Sequence, residues 1–228
     1  MALTLEPGEP PVARWAVEPL ATLAERLVPS DGSAAERAVV AVDGRQGAGK
    51  STLAARLAQA WTDQGRATAV VHTDDIAWWQ GFFTWDDLLV DGILRPWLDG
   101  RPVVYRPPAW IERGRVGAIA VPPAAAILVV EGVGSSREAL APWLQGSVWM
   151  QADRRDARVR GLARDGGSAE TEAFWDEWEA AERAFLTEDR PWERAGAVVC
   201  GTPQALGITL GPDEVLLAPS DYCAKSRR

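Results

Sequence analysis

The chain has 228 residues, a length that fits either one α/β domain with an insertion or two small domains. Its formal net charge of -8 argues against a general affinity for nucleic acid or for anionic membranes, because both favour a basic protein surface. Two cysteines and one histidine are too few for a disulfide framework, a multi-cysteine zinc site or a histidine-cluster metal site. The sequence carries no recognisable secretory signal and no apolar stretch of bilayer-spanning length, so we expect a cytoplasmic enzyme without a membrane or nucleic-acid partner.

Apolar runs and helical spacing alternate along the chain. After a proline-rich lead-in over 1–18, a helix is predicted over 19–27, and five apolar runs predict buried strands. These strands are predicted over 38–42, 67–72, 124–130, 147–151 and 197–200. Further helices are predicted over 50–65, 86–98, 135–143, 154–164 and 170–186, and one or two short strands over 207–219. Strands that alternate with helices predict a parallel sheet covered by helices on both faces.

The segment between the first strand and the next helix is rich in glycine. Residues 44–51 read Gly-Arg-Gln-Gly-Ala-Gly-Lys-Ser and fit the pattern G-x-x-x-x-G-K-[ST] at every fixed position. In that pattern backbone amides surround phosphate oxygens, the lysine reaches the β- and γ-phosphates, and the hydroxyl binds Mg²⁺. A glycine-rich turn that binds nothing is the alternative. The predicted phosphate-binding residues are Gly44, Gln46, Gly47, Ala48, Gly49, Lys50, Ser51 and Thr52.

Four features follow one another at the spacing of a known family: the glycine-rich loop, the acid pair at 74–75, the pair Glu131-Gly132, and the segment 158–165. On these features, from about residue 38 to residue 200, the chain resembles the P-loop kinases of the uridine kinase and phosphoribulokinase group. The resemblance implies an α/β fold of the P-loop NTPase class, with three α/β/α layers, a mainly parallel five-stranded sheet in the order 2-3-1-4-5, and a small lid. It also implies one kinase domain over 1–228, a substrate-binding insertion at 76–120 and a lid region at 154–170.

Acidic residues after the second and third strands are candidates for the chemistry. In the family the first aspartate of the pair accepts the proton of the substrate hydroxyl, so the resemblance makes Asp74 the catalytic base and Asp75 a substrate contact beside it. Glu131 follows a buried strand as the acid of a Walker-B segment does, so Mg²⁺ is expected on Ser51, Glu131 and Asp74. The alternatives are that one aspartate only caps the following helix and that Glu131 is a strand-end charge that faces solvent.

Three arginines of the arginine-rich helix are candidates for a lid that closes over the phosphates. The family places arginines on its lid helix, where they offset the charge that develops during phosphoryl transfer. The resemblance thus implies nucleotide binding by Arg160 and substrate binding by Arg158. The glycine-rich stretch 166–168 predicts a short lid, and a solvated basic face is the alternative for any one of the arginines. The implied catalytic set is Lys50, Asp74 and Arg164.

Acceptor recognition is expected in the insertion. Asp86 stands where the family carries the aspartate that hydrogen-bonds ribose hydroxyls, so the resemblance makes it a ribose-binding candidate. Trp79, Tyr105 and Trp110 are further substrate-binding candidates, because aromatic rings stack on planar groups. The chain contains twelve tryptophans, which equally favours plain core filling, so both interpretations stay open. His72, just before the acid pair, is expected to be a buried core histidine.

These features together predict an ATP- and Mg²⁺-dependent kinase that transfers the γ-phosphoryl group to a hydroxyl of a small molecule. By resemblance the acceptor is a nucleoside, with the 5′-OH of uridine or cytidine as the specific expectation. A sugar, a sugar phosphate or a pantothenate-like molecule is the alternative acceptor. A P-loop NTPase switch that binds a protein partner, or a nucleotide-binding scaffold without turnover, is the alternative function. The tryptophan-rich insertion is either a binding pocket or a dimer interface, so the sequence is compatible with both a monomer and a homo-oligomer.

Overall fold

A computed structural model of the chain describes residues 2–31 and 36–219. Its strands are β1 (Ala16–Pro19), β2 (Ala38–Gly44), β3 (Thr68–His72), β4 (Val103–Tyr105), β5 (Ile119–Val121), β6 (Ile127–Glu131), β7 (Gly146–Gln151), β8 (Ala197–Cys200) and β9 (Glu214–Leu217). Its helices are α1 (Leu20–Leu27), α2 (Lys50–Asp63), α3 (Thr73–Ala77), α4 (Asp86–Leu89), α5 (Arg95–Leu98), α6 (Pro108–Glu112), α7 (Arg154–Arg164) and α8 (Ala169–Asp189). The predicted helix over 135–143 is a short 3-10 segment, Glu138–Trp143.

The five predicted strands form the parallel centre of one sheet. They lie in the order β3-β6-β2-β7-β8, which is the expected order 2-3-1-4-5 when the parallel strands are counted along the chain. The sheet has seven strands rather than five, because β9 pairs antiparallel with β8 and β1 pairs antiparallel with β9. β1 begins inside the segment expected to be a lead-in; it is short, alternates in exposure and ends at Pro19, as edge strands commonly do.

Alternate residues of β2 pack against two different layers. Val40 and Val42 belong to the core beneath α1 and α2, together with the fully buried Trp61. Val39 belongs to the core on the other face, together with Trp97 of the insertion. Because both faces of β2 are buried, the strand reads as a continuous apolar run in the sequence.

The insertion covers one face of the sheet and does not stand apart from it. Residues 86–98 are helical throughout, with a π-helical turn between α4 and α5, and β4 and β5 form a separate antiparallel ribbon. Trp85, Trp97 and Trp110 are buried in the core between this insertion and the sheet. Core filling therefore accounts for these three tryptophans.

The region 154–170, expected to be the lid, contains α7 and the first two residues of the long helix α8. Asp153 caps α7 by accepting hydrogen bonds from the amides of residues 155 and 156, and Ser168 caps α8 through the amide of Thr171. Trp175 of α8 lies against Gly161 of α7, where an added Cβ would come within 1.9 Å of its ring. At 21 residues α8 is the longest helix, and across 2–31 and 36–219 no helix joins the length and apolarity needed to cross a bilayer.

Candidate active site

Glycines give the loop between β2 and α2 its tight course. Gly47 has a φ of 74°, and a Cβ at this position would lie 2.1 Å from the carbonyl oxygen of Ala157 on α7. Gly44 also lies close to β7, where an added Cβ would come within 2.6 Å of the Met150 Cβ. Only glycine fits at these two positions, so the loop runs directly against the arginine-rich helix and the neighbouring strand.

Part of the loop is held by hydrogen bonds inside the protein. The amide of Gln46 donates to Glu182 Oε1 at 2.8 Å. The Arg45 carbonyl oxygen accepts two bonds, from the Ala48 amide at 3.1 Å and from Lys50 Nζ at 3.0 Å. The amides of Gln46 and Ala48 are thus engaged within the protein, which differs from the expectation that they bind phosphate. The amides of the first turn of α2 have no partner within the helix and remain for an anion.

Arginines from α7 reach the loop, but not all of those expected. A cavity of about 280 Å³ beside the loop is lined by Gly47, Gly49, Lys50, Ser51, Thr52, Arg160, Gly161 and Arg164. Arg158 instead forms ion pairs with Asp176 and Glu179 of α8, each at 2.7 Å. Residues four apart share a helix face whereas residues two apart do not, so Arg160 and Arg164 line this cavity together. Arg158 instead lines a separate cavity of about 320 Å³ beside Arg45 and Gln46.

Glu131 joins the end of β6 to the loop. Its Oε1 accepts a hydrogen bond from Ser51 Oγ at 3.1 Å, and its Oε2 is buried without a hydrogen-bond partner within the described residues. Burial alone would raise the pKa of Glu131, but the hydrogen bond from His72 and the charge of Lys50 together hold that pKa below its ordinary value. An ionised carboxylate with an unused oxygen beside a hydroxyl fits the hard oxygen ligands that Mg²⁺ prefers.

The described residues contain no group of three histidine, cysteine or acidic side chains arranged to hold a metal ion. A magnesium ion at this place would therefore have few protein ligands. That agrees with the usual way in which Mg²⁺ binds beside nucleotides, where water and phosphate oxygens complete its coordination. Ser51 and Glu131 fit the ion, and Asp74 of the expected set lies close to Glu131.

Asp74 lies in the first turn of α3, directly beyond the end of β3. Its side chain is exposed to solvent, but nearby protein atoms displace part of the water around the carboxylate. This partial desolvation raises the pKa of the Asp74 carboxyl. The charges of Lys50 and Arg164 lower that pKa and Glu131 raises it, so all three lie within electrostatic range of Asp74. No hydrogen bond to the Asp74 carboxylate occurs within 2–31 and 36–219, which leaves its oxygens available to accept a proton from a ligand.

His72 is not a core histidine, so the expectation for this residue is wrong. About half of its side chain is exposed, and its Nδ1 lies 2.5 Å from Glu131 Oε1. The parallel register of β3 and β6 pairs His72 with Glu131, which places the two side chains at the same end of the sheet. The hydrogen bond with Glu131 raises the pKa of the His72 imidazole, against the effect of burial. The signal in the sequence was its position at the carboxyl end of a predicted strand, where ligands bind in open α/β sheets.

Gly132 sets the distance between the Glu131 strand end and the start of α3. It has a φ of 142°, and an added Cβ would lie 1.7 Å from Thr73 Oγ1. Gly132→Ala is expected to lower the free energy of unfolding by about 3 kcal/mol, since overpacking adds to backbone strain. Gly65→Ala is the matched control, because Gly65 has a φ of 80° but nothing within 4 Å of its Cβ position, so only the strain of about 1 kcal/mol applies. Urea denaturation of both variants measures the difference, and equal losses would contradict the contact with Thr73.

Asp75 and Trp110 hold the insertion to α3. Arg115 Nη2 lies 2.5 Å from Asp75 Oδ1, and the Trp110 indole N–H donates to the Asp75 carbonyl oxygen at 2.8 Å. The Arg115 guanidinium also covers one face of the buried Trp110 ring, 3.6 Å from its centre. Both residues are thus engaged in contacts between elements, and a base that stacks on the covered face of Trp110 would have to displace Arg115.

The other candidates of the insertion lie on separate elements. Trp79 is 63% exposed, with the Arg113 guanidinium 3.7 Å from its ring centre. Asp86 begins α4 and pairs with Arg137 at 3.1 Å. Tyr105 of β4 is partly buried, which raises the pKa of its hydroxyl. Among the described residues, no hydrogen bond or ion pair links Asp86 or Tyr105 to Asp74 or Glu131. The role of Asp86 and Tyr105 in substrate binding is therefore a proposal.

A second cavity, which the sequence did not indicate, adjoins the first. Its volume is about 440 Å³, and it shares Gly49, Thr52 and Arg160 with the cavity beside the loop. Its further lining comes from β7, from the end of β8 and from the segments 203–204 and 209–212. The Arg160 guanidinium borders both cavities and donates to the Gly201 carbonyl oxygen at 3.1 Å. The two cavities therefore lie side by side, with these three shared residues between them.

Comparison with known proteins yields a likeness in fold. No protein-family model and no curated protein matches the chain. It is similar to the structure of a possible uridine kinase from Bacillus stearothermophilus, with a TM-score of 0.56, 21% identity, and 78% of this chain and 96% of that chain covered. It is also similar to the structure of a candidate fructose transport system kinase from Silicibacter sp. TM1040, with a TM-score of 0.51, 22% identity, and coverage of 86% and 98%. The chain therefore has the fold of a P-loop kinase and resembles the uridine kinase group.

Proposed function

We propose that this protein is an ATP-dependent phosphotransferase that moves the γ-phosphoryl group to a hydroxyl of a small molecule. The observation that carries the proposal is that Lys50, Ser51, Glu131 and Asp74 lie together beside the glycine-rich loop. A protein that only binds a nucleotide needs no more than the loop. Transfer to a hydroxyl also needs a group that accepts the hydroxyl proton, and the Asp74 carboxylate, which has no hydrogen bond to a described residue, lies next to the loop. The likeness in fold to P-loop kinases supports the same proposal.

In this proposal the triphosphate of ATP lies along the loop and the first turn of α2. We place the base in the cavity of about 440 Å³, because that cavity shares Gly49 and Thr52 with the cavity beside the loop. Ser51 and Glu131 would hold Mg²⁺, which would supply positive charge beside the phosphates when bound. Arg160 contacts the nucleotide from the border of the two cavities.

The transfer step is assigned to three side chains. Asp74 accepts the proton of the acceptor hydroxyl while that oxygen forms a bond to the γ-phosphorus. The bond between the γ-phosphorus and the β–γ bridging oxygen breaks, and ADP leaves with its electron pair. Lys50 and Arg164 offset the negative charge on the phosphoryl group in transit, as cations at such sites do. His72 orients Glu131 through their hydrogen bond.

The acceptor proposed first is a nucleoside, with uridine or cytidine phosphorylated at the 5′-OH. The resemblance at Asp86 supports ribose recognition. Trp79 is 63% exposed, and the ring face that Arg113 does not cover is available for stacking on a base. A sugar is the second candidate. Two observations favour it: the likeness in fold to a candidate fructose transport system kinase, and the burial of Trp110, which removes one expected stacking surface.

The decisive experiment measures ADP formation with Mg²⁺ and ATP against a panel of acceptors. The panel contains pyrimidine and purine nucleosides, free sugars, sugar phosphates and pantothenate-like molecules. Uridine or cytidine is expected to give the highest kcat/KM, well above the rate with water alone. A sugar that exceeds both nucleosides would favour the second candidate. If ATP binds but no acceptor raises the rate above that with water, an NTPase switch replaces the kinase as the better proposal.

A further inference from the structure

Three distant segments meet at Arg45 of the phosphate loop, a residue that does not line the cavity of about 280 Å³. Arg45 of the loop pairs through Nε with Glu9 at 3.1 Å and through Nη1 with Glu182 of α8 at 3.6 Å. The next residue, Gln46, donates its amide N–H to Glu182 Oε1 at 2.8 Å. One carboxylate on α8 therefore holds both the side chain and the backbone of two successive loop residues.

The three charged groups are almost completely buried. The side chains of Glu9, Arg45 and Glu182 are 1%, 11% and 6% exposed. Buried charges are tolerated only when opposite charges and hydrogen bonds satisfy them, so this cluster favours a single arrangement of its members. Burial raises the pKa of Glu182, and the charge of Arg45 lowers it.

The cluster is anchored to the sheet. Glu9 Oε1 accepts hydrogen bonds from Trp149 Nε1 at 2.7 Å and from Gln151 Nε2 at 3.2 Å, both on β7. Glu9 uses its other oxygen for Arg45. Arg45 is thus fixed from β7 on one side and from α8 on the other, and its guanidinium serves as a support of the loop.

Fixing Arg45 also fixes the catalytic lysine. The Arg45 carbonyl oxygen accepts the hydrogen bonds of Lys50 Nζ and of the Ala48 amide. A shift of Arg45 would therefore move the acceptor of the Lys50 ammonium and the curve of the loop that precedes α2. Small displacements of groups that bind and orient a substrate are costly in affinity and rate.

We infer that Glu182 is a positioning residue of the phosphate loop, which holds Arg45 and the Gln46 amide so that Lys50 and the first-turn amides of α2 face the triphosphate. The inference rests on the proposed function, because it concerns the binding of ATP. Glu182 does not line the cavity of about 280 Å³ that Lys50 and Ser51 border; it lines a different cavity of about 320 Å³ together with Arg45 and Gln46, so in this inference it acts on Lys50 through its neighbours.

The sign of the effect separates positioning from plain electrostatics. Glu182 is an acid within electrostatic range of Lys50. If its charge were its only influence, removal would reduce repulsion of the triphosphate and tighten ATP binding. Positioning predicts the opposite, because a loop without its support loses alignment of the amides and of the lysine.

The test is the dissociation constant of ATP, measured by calorimetry on the full chain at a temperature well below the unfolding transition. Glu182→Ala is expected to weaken ATP binding by about tenfold, the effect of losing one hydrogen bond to a charged group. Glu182→Gln, which keeps an oxygen for the Gln46 amide, is expected to fall between Glu182→Ala and the unchanged protein. Glu179→Gln is the control, since Glu179 lies on the same helix but pairs with Arg158.

Each outcome decides between the two roles. If Glu182→Ala lowers thermal stability but binds ATP as tightly as the unchanged protein, or more tightly, Glu182 is only structural and the inference is overturned. If Glu182→Ala does not fold, Glu182→Gln carries the test, and unchanged or tighter binding by that variant overturns the inference. Failure of the unchanged protein to bind ATP would instead overturn the proposed function itself, together with this inference.

Discussion

Lys50→Ala is expected to weaken ATP binding by about a hundredfold and to remove measurable phosphoryl transfer, because a buried ammonium that reaches two phosphates makes more than one charged hydrogen bond. Lys50 is 9% exposed, and its Nζ already lies at the loop, 3.0 Å from the Arg45 carbonyl oxygen. Calorimetric titration with ATP and measurement of kcat on the same variant separate the loss of binding from the loss of chemistry.

Lys50→Arg extends this prediction, because it keeps the charge and changes the shape. Arginine carries a planar guanidinium, which does not fit a narrow site that suits a compact ammonium, so this variant is also expected to lose most of its activity. Arg26→Ala is the control: it removes one positive charge from the exposed face of α1, away from the loop. ATP binding by Lys50→Ala that equals binding by the control would mean that the loop is not the phosphate site.

The parallel core could be predicted because its signal is local. Each of the five strands is a short apolar run, and both faces of β2 are buried, so the run carries no polar interruption before Asp43. The order of the strands followed from the family resemblance and agrees with the structure. β9 lies within the range 207–219 where a short strand was predicted. β1 was missed, because a four-residue edge strand owes its position to pairing with a distant segment.

The loop and its cations were predictable, whereas the contacts that hold them were not. The spacing of residues 44–51 identifies the phosphate-binding loop. Residues four apart lie on one face of a helix, so helical periodicity places Arg160 and Arg164 together and Arg158 on another face. The support by Glu9 and Glu182 depends on contacts over 36 and 136 residues of sequence, and nothing in the local pattern marks either acid. His72 was misjudged for a related reason: its exposure depends on the register of β3 against β6.

The acceptor side was the least predictable part. Asp75 and Trp110 were expected to touch substrate, but both are used to join the insertion to α3. An aspartate or a tryptophan serves equally well in a structural contact and in a binding site, so residue type alone could not distinguish the two uses. Asp74 differs from its neighbour, because its carboxylate makes no hydrogen bond to any described residue while it lies within electrostatic range of Lys50 and Glu131.

Asp74→Asn is expected to lower kcat by about a hundredfold or more while it leaves the dissociation constant of ATP nearly unchanged, since general-base help contributes roughly that factor. An amide has the same shape as the carboxylate and cannot take up the hydroxyl proton, so the loss falls on the transfer step. The measurement compares kcat with the preferred acceptor against ATP affinity from calorimetry.

Two isosteric controls decide whether that loss belongs to Asp74. Asp87→Asn changes an exposed aspartate at the start of α4 and is expected to leave kcat unchanged. Asp75→Asn weakens the pair with Arg115, so it is expected to affect stability and the acceptor KM more than kcat. If Asp74→Asn kept full turnover while Asp75→Asn lost it, the base would be Asp75 and the contacts of the insertion would have to open in the working enzyme. Full turnover by both variants would exclude a carboxylate base at this end of β3. Catalysis would then depend on Lys50 and Arg164 alone, because a loose transition state is stabilised mainly by well-placed positive charge and little by removal of the hydroxyl proton.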